Sequence, residues 1–421
     1  MKERPTAPAV AGRIHASPLG PSFDLLGALA ERGCSFERGG LGVAAEGSGG
    51  VDLAIGSGAS AMLDAGRETL AMLRSLERAD FDAVPVAVGA LGFEPAGGAL
   101  HIPWRAVRRS SPGRTWLVEA RSADRELPRF APRPVRSGRP PHEAFSDLQL
   151  VPRPAPEGYA DAVRAATARI RAGELRKVVL ARQIEVRAGR NLDPVLLAAR
   201  LRSVDPDAYT FVAPTANGTL VGASPELLLS RRGREVRSNP LAGSAPRSGD
   251  PEEDRHNGRT LEASSKDREE HAIVVEAVAD ALQPFCENLA WDPEPVLLPT
   301  ANVWHLSTRF TGTLREPPPD VLELVATLHP TPAVGGAPRA VALAAIQELE
   351  PFERGAYAGP VGWVDAEGDG EWAIALRCAE IEGDRATLYA GAGIVAGSDP
   401  DTELGETERK FRAFLDALRW G

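Results

Sequence analysis

Glu403, Glu406 and Lys410 fall three and four residues apart in the run ELGETERK, so on a helix they share one face. Two carboxylates and an ammonium so placed can hold a hard cation, or they can form a solvated face with an i,i+4 pair. The preceding sequence sharpens the first reading. Arg377 in LRCAE comes just ahead of LYAGAGIVAGSDP, where Gly391 and Gly393 interrupt a β pattern. Such glycines mark a bulge or a close approach of backbone to a ligand. An arginine beside free backbone donors suits an anionic group.

Of 48 basic residues only four are lysines, at positions 2, 177, 266 and 410. Arginine keeps its proton in any protein setting, whereas lysine can lose it and act as a base. The lysines away from the terminus are therefore candidates for chemistry. Lys177 opens the apolar run KVVL with no acidic neighbour in sequence. It either snorkels at a sheet edge or sits in a pocket where desolvation lowers its pKa. Glu226, in GASPELLL, has apolar neighbours that favour the protonated form a general acid needs; the alternative is an edge-strand glutamate facing water.

The segment SSKDREEHAIVVEAV reads as the start of a long helix, with Ser264 and Asp267 approximating a capping box. Val274 and Val278 follow Glu270 on its face, so Glu270 points inward, Glu269 is solvated and His271 is structural. Ahead of it, the expected loop NPLAGSAPR offers small residues and backbone N–H groups near Gly243 and Ser244. His305, in VWHLST, lies between large apolar residues, as a hydrogen-bonded core histidine or as part of a site.

The elements that must position these groups follow from periodicity. Helical patterns are expected near 23–33 and 61–78, with short β-like runs at 51–58, 83–93 and 114–120. The Gly-rich patch at 39–50 lacks the lysine and helix of a phosphate loop and reads as turns. Seven prolines between 131 and 157 exclude a regular helix and mark a connection. Beyond it come an amphipathic helix at 157–173, a strand at 177–186, a helix at 193–204 and strands near 209–215, 218–224 and 226–238. A polar loop at 245–260 precedes the long helix, expected from 262 to 285. The remainder reads as strands within 303–314, helices at 319–328 and 338–348, strands at 360–366, 372–382 and 385–392, and a final helix with Phe411, Phe414, Leu415 and Leu418 on one stripe. Hairpin-like strand pairs with helices between them imply an α+β fold built on large, mostly antiparallel sheets with helices outside, and no doubly wound fold. Residues 1–150 are expected to add strands and helices to the same large domain whose core is 151–421.

At 421 residues, with 43% hydrophobic and 25% charged residues, the chain has ordinary globular composition. A net charge of −10 argues against nucleic-acid binding, and no apolar run reaches membrane-spanning length. Cys34, Cys286 and Cys378 lack metal-ligand spacing and read as buried thiols in a reducing, cytoplasmic setting.

Taken together, KVVLAR at 177–182, GASPELLL at 222–229, NPLAGSAPR at 239–247, KDREEH at 266–271 and WHLST at 304–308 resemble the chorismate-utilising enzymes. HPTPAVGGAPR at 329–339, ELEPFERGAYAGPVGW at 348–363, LRCAE at 376–380, YAGAGIV at 389–395 and ELGETERK at 403–410 continue the match, in order, over about residues 155–415. The N-terminal third resembles the family only at GALGF, 89–93. Within the family the isochorismate synthases are the most similar. The resemblance implies that Lys177 is the general base activating water and Glu226 the general acid protonating the departing hydroxyl. It implies Mg²⁺ held by Glu270 and Glu406, with Glu403 close by, neutralising the ring carboxylate of chorismate. Arg377, Lys410 and the Gly391–Gly393 backbone would bind the enolpyruvyl carboxylate, with Gly243, His305, Ala333 and Tyr357 lining the pocket. A monomer without a glutaminase partner is implied, feeding quinone, siderophore or salicylate metabolism.

Neighbouring activities leave different marks. Ala242 stands where aminodeoxychorismate synthases resemble PIKGT and carry a lysine nucleophile. The N-terminal LLES signature of anthranilate synthases is missing, and those enzymes commonly lack a lysine at the position of Lys177. Salicylate synthases share the Lys/Glu pair and go on to eliminate pyruvate; HPTPAVGG reads instead like the isochorismate synthases. A relative that binds chorismate without turnover would not need acid, base and metal residues together.

Overall fold

In the computed structural model, residues 13–419 are described except 21–22, 30–32, 48, 57–59, 80–83, 95–96, 122–126, 128 and 132–147. Pro132, Pro134, Pro140 and Pro141 of the proline-rich stretch therefore lie outside the described residues, as does Lys2. Pro152 belongs to the strand Gln149–Arg153, which forms one edge of a sheet, where a missing N–H is tolerated. Pro156 is the first residue of the helix Pro156–Arg171, where its fixed φ is an advantage.

Among the described residues two large sheets dominate, one of thirteen strands and one of nine, with a third of three strands. Their strands pair antiparallel throughout, apart from the parallel contact of Arg13–Leu19 with Glu77–Arg78. The α+β arrangement expected from the sequence is the one observed. The N-terminal third is woven into both large sheets. Cys34–Arg38 pairs with Tyr209–Pro214 through Phe36 opposite Phe211, and Val86–Leu91 pairs with Pro360–Asp365. A continuous apolar core gathers Phe36, Phe93, Phe211, Trp363 and Trp372 with the inner face of Ser265–Leu282 through Val274 and Val278. A second core lies beneath the C-terminal helix Pro400–Arg419, where Phe411, Phe414 and Leu418 are buried as their stripe requires.

Several expected elements differ. Of the helix expected at 23–33, the described residues form a 3-10 turn, Leu25–Ala28, capped by Asp24. The Gly-rich patch contains a strand, Leu41–Ala45, after a turn at Gly39 and Gly40, because Val43 and Ala44 are core residues. The polar loop at 245–260 holds a helix, Pro251–Ala263. Its start signals are local: Asp250 accepts from Glu252 and Glu253 N–H at 2.8 and 3.2 Å, Pro251 follows, and Glu252, Glu253 and Asp254 meet the positive end of the dipole. The strands expected within 303–314 are Val303–Ser307 and Phe310–Leu314, and they belong to different sheets. The run 372–382 breaks into Gly370–Ile374 and Cys378–Glu382, and at the break Arg377 takes a φ of +50°. The strands Cys286–Trp291 and Val296–Pro299 had no counterpart in the sequence reading.

Candidate active site

Lys177 is the first residue of the strand Lys177–Arg187, whose neighbour Arg385–Ile394 sets Val179 opposite Gly393 and Ala181 opposite Gly391. The ammonium does not snorkel: Lys177 is 1% exposed, and its Nζ lies 3.0 Å from Glu270 Oε1. The acidic neighbour absent from the local sequence is thus supplied by the helix Ser265–Leu282. The Ser264 hydroxyl caps that helix by accepting from Asp267 N–H and donating to the Asp267 carboxylate. Glu270 is buried and Glu269 exposed, as the helical pattern requires. Gly393 makes the approach possible. A Cβ there would come within 2.0 Å of Glu270 Oε1 and 3.1 Å of Lys177 Cε, so any side chain would force the Glu270 carboxylate to shift.

Glu226 sits between the strands Thr219–Ser224 and Leu227–Arg232, buried rather than facing water. Burial pushes its carboxyl up to about 8, against opposing pulls from the Lys177 ammonium and the Leu241 backbone N–H. It therefore carries a proton at neutral pH. Leu241 belongs to Leu241–Pro246, a strand where a loop was expected. Its pairing with Val303–Ser307 slips at Gly243, whose φ of +72° makes a bulge.

The bulge turns the Gly243 carbonyl toward His305, whose Nδ1 lies 3.1 Å away. The His305 Nε2 lies 3.0 Å from an Arg377 guanidinium nitrogen, which can only donate. His305 is therefore neutral, with its proton on Nδ1 given to Gly243. Burial and then the Arg377 charge hold its pKa down to about 3. It is both a hydrogen-bonded core histidine and the group that aims Arg377. His271, by contrast, bonds Thr308 at 2.8 Å as a packing residue.

On the C-terminal helix, Lys410 Nζ donates to Glu406 Oε1 at 2.6 Å and to the Gly391 carbonyl at 2.8 Å. Burial opposes charge on Glu406, but the Lys410 ammonium outweighs it and keeps the carboxylate below its ordinary range. Glu403 is 1% exposed and is bound instead by Lys266, whose Nζ lies 2.5 Å from its Oε1. Burial, then the Glu406 charge, raises Glu403.

These groups surround one cleft of about 680 Å³ including its open mouth. Glu226, Gly243, Glu270, His305 and Ala333 line it. So do Tyr357, Arg377, Gly391, Gly393, Glu406 and Lys410. Lys177 stands behind the wall, reaching the cleft through Glu270, and Glu403 stands behind it paired with Lys266. The three glutamates expected around a metal do not close on a single point. Among the described residues the only three-carboxylate group within 4.8 Å is Asp365, Glu367 and Asp369, none of which lines the cleft. There Asp365 pairs with Arg108 and Asp369 with Arg231.

Sequence reasoning missed part of the wall. Tyr389 stacks on Tyr357 with ring centroids 4.9 Å apart. Arg354, buried under Phe93, donates to the Val334 and Val179 carbonyls at 2.7 and 2.8 Å and pairs with Glu350. The Glu350 Oε1 also accepts the Ala181 N–H at 2.7 Å. This buried pair clamps the Lys177 strand to the loop carrying Ala333. Its i,i+4 spacing in ELEPFER was legible, but not its burial.

Among the described residues no helix is long and apolar enough to cross a membrane. Residues 127–419 match a protein family described as chorismate binding enzyme. The isochorismate synthase DhbC of Bacillus subtilis is 43% identical over 352 residues, 80% of this chain and 88% of the relative. The isochorismate synthase EntC of Escherichia coli is 36% identical over 79% of this chain and 81% of its own. Among solved structures, MenF, the menaquinone-specific isochorismate synthase from Escherichia coli, superposes with a TM-score of 0.80 at 27% identity. That match covers 98% of this chain and 96% of MenF.

Proposed function

The chain belongs to the chorismate-binding enzyme family, and on that premise we propose that it is an isomerase converting chorismate to isochorismate. The observation that carries this is the pairing of a buried, proton-bearing Glu226 with a buried Lys177 whose charge reaches it, both serving one cleft. Moving a hydroxyl from C4 to C2 of the ring needs a base for the incoming water and an acid for the leaving group. For this step Lys177 must first have shed its ammonium proton; the free amine then takes a proton from water as the water oxygen bonds to C2. Both conjugated ring double bonds shift by one position, the C4–O bond breaks, and the Glu226 carboxyl gives its proton to the departing hydroxyl. One water enters and one leaves, so mass is unchanged.

Chorismate carries two carboxylates, and the cleft offers two places for them. One is the Arg377 guanidinium held by His305, with Lys410 and the Gly391–Gly393 backbone beside it. The other lies toward Glu270 and Glu406, whose hard oxygen donors line the same cleft and fit Mg²⁺. That ion, when bound, supplies charge neutralisation for the ring carboxylate. Water rather than ammonia is the nucleophile, so no glutaminase subunit is needed, and the three buried free cysteines suit the cytoplasm.

Salicylate formation would add pyruvate release to the same first step, and product analysis separates the two. Lys177→Ala and Glu226→Gln should each lower kcat by about 10²–10⁴-fold while chorismate still binds. Full turnover in either variant would remove that residue from the mechanism.

A further inference from the structure

The scarcity of lysine singled out Lys266, and the reaction leaves it without a part. Among the described residues, the three lysines each hold one of the three acidic residues of the metal region: Lys177 with Glu270, Lys266 with Glu403 and Lys410 with Glu406. The pairs are not equivalent. Glu270 and Glu406 line the cleft, whereas neither Lys266 nor Glu403 does.

Helix geometry explains the difference. Lys266 lies one turn before Glu270 on Ser265–Leu282, and Glu403 lies about one turn before Glu406 on Pro400–Arg419. The Lys266–Glu403 pair thus joins the opening turns of the two helices that present the cleft glutamates. Its 2.5 Å separation, with Glu403 almost wholly buried, occupies that carboxylate. A dication facing all three glutamates would be over-neutralised and would lose both coordination positions and attraction for an anionic substrate. Mg²⁺ works best with one or two protein carboxylates and the substrate's own oxygens.

Resting on the metal reading above, we infer that Lys266 is a positioning residue that withholds Glu403 from the metal, leaving the ion to Glu270 and Glu406 and keeping room for the substrate carboxylate. Removing its charge releases Glu403. In substrate-free enzyme followed by Mn²⁺ electron paramagnetic resonance, Lys266→Gln then binds the ion about tenfold more tightly than wild type. The same variant shows a raised KM for chorismate. The Lys266→Gln/Glu403→Gln pair returns Mn²⁺ affinity to within about threefold of wild type, because the released ligand is gone. Lys266→Arg, which keeps the charge, also stays near wild type. Folding is checked by near-ultraviolet circular dichroism of each variant.

Mn²⁺ affinity unchanged or weakened in folded Lys266→Gln overturns the assignment, as does a tenfold loss in the double variant. The underlying metal reading fails differently: wild type would show no saturable Mn²⁺ site, or Glu270→Gln and Glu406→Gln would leave that site intact.

Discussion

A carboxyl that keeps its proton to about pH 8, as burial makes Glu226 do, has consequences for both rate and stability. Turnover needs the acid form, so kcat should fall above about pH 8, and Glu226→Gln should lack that limb in whatever activity remains. The stability effect has the opposite sign to that of a salt-bridged carboxylate. Between the ordinary value of 4.5 and about 8, the unfolded chain releases a proton that the folded chain retains, so stability declines as pH rises through that window. Melting temperatures of wild type and Glu226→Gln should therefore diverge in favour of the variant from about pH 4.5 to about pH 8 and run parallel beyond it. Parallel curves across the whole window would mean that the carboxyl is ionised in the folded protein. At position 393 the constraint is steric: Gly393→Ala places a methyl group on Glu270 Oε1 and should abolish turnover while leaving the fold intact. Near-normal activity in that variant would show that the contact between Glu270 and Lys177 is dispensable.

Secondary structure places these residues through a few local devices: a bulge at Gly243, a strand break at Arg377, a capped helix start at Ser264 and the Glu350–Arg354 clamp. The clamp ties together the strand of Lys177 and the loop of Ala333, and both charges are buried. Arg354→Met leaves Glu350 without its partner and should cost about 3–5 kcal/mol in urea unfolding. A loss below about 1 kcal/mol would place the clamp among weak surface pairs. These devices also mark where the sequence was legible and where it was not. The final helix and the helix bearing Glu270 follow from periodicity, because each buries one apolar stripe. Their inward glutamates follow with them. The pairing of Lys177 with Glu270 was hidden, since strand and helix meet only through the third dimension. The helix Pro251–Ala263 was missed although Asp250, Pro251 and three acidic residues announced it, because its polar surface hid the start signal. Leu241–Pro246 was missed because small residues and a bulge erase the alternation of a strand. Its discovery explains how Gly243 can accept from His305.

At the scale of the molecule, the sheets and the helices Ser265–Leu282 and Pro400–Arg419 bring residues from positions 177 to 410 around one cleft, and the N-terminal strands join both large sheets. A reaction that exchanges one hydroxyl for another at a different carbon has a direct isotopic signature. Chorismate incubated with the protein and Mg²⁺ in ¹⁸O-labelled water, with the products resolved by mass spectrometry, reads that signature. Isochorismate carrying one ¹⁸O atom at C2, without release of pyruvate, is the expected result. Unlabelled isochorismate, or chorismate returned unchanged, would contradict the attack of water prepared by Lys177 and Glu226.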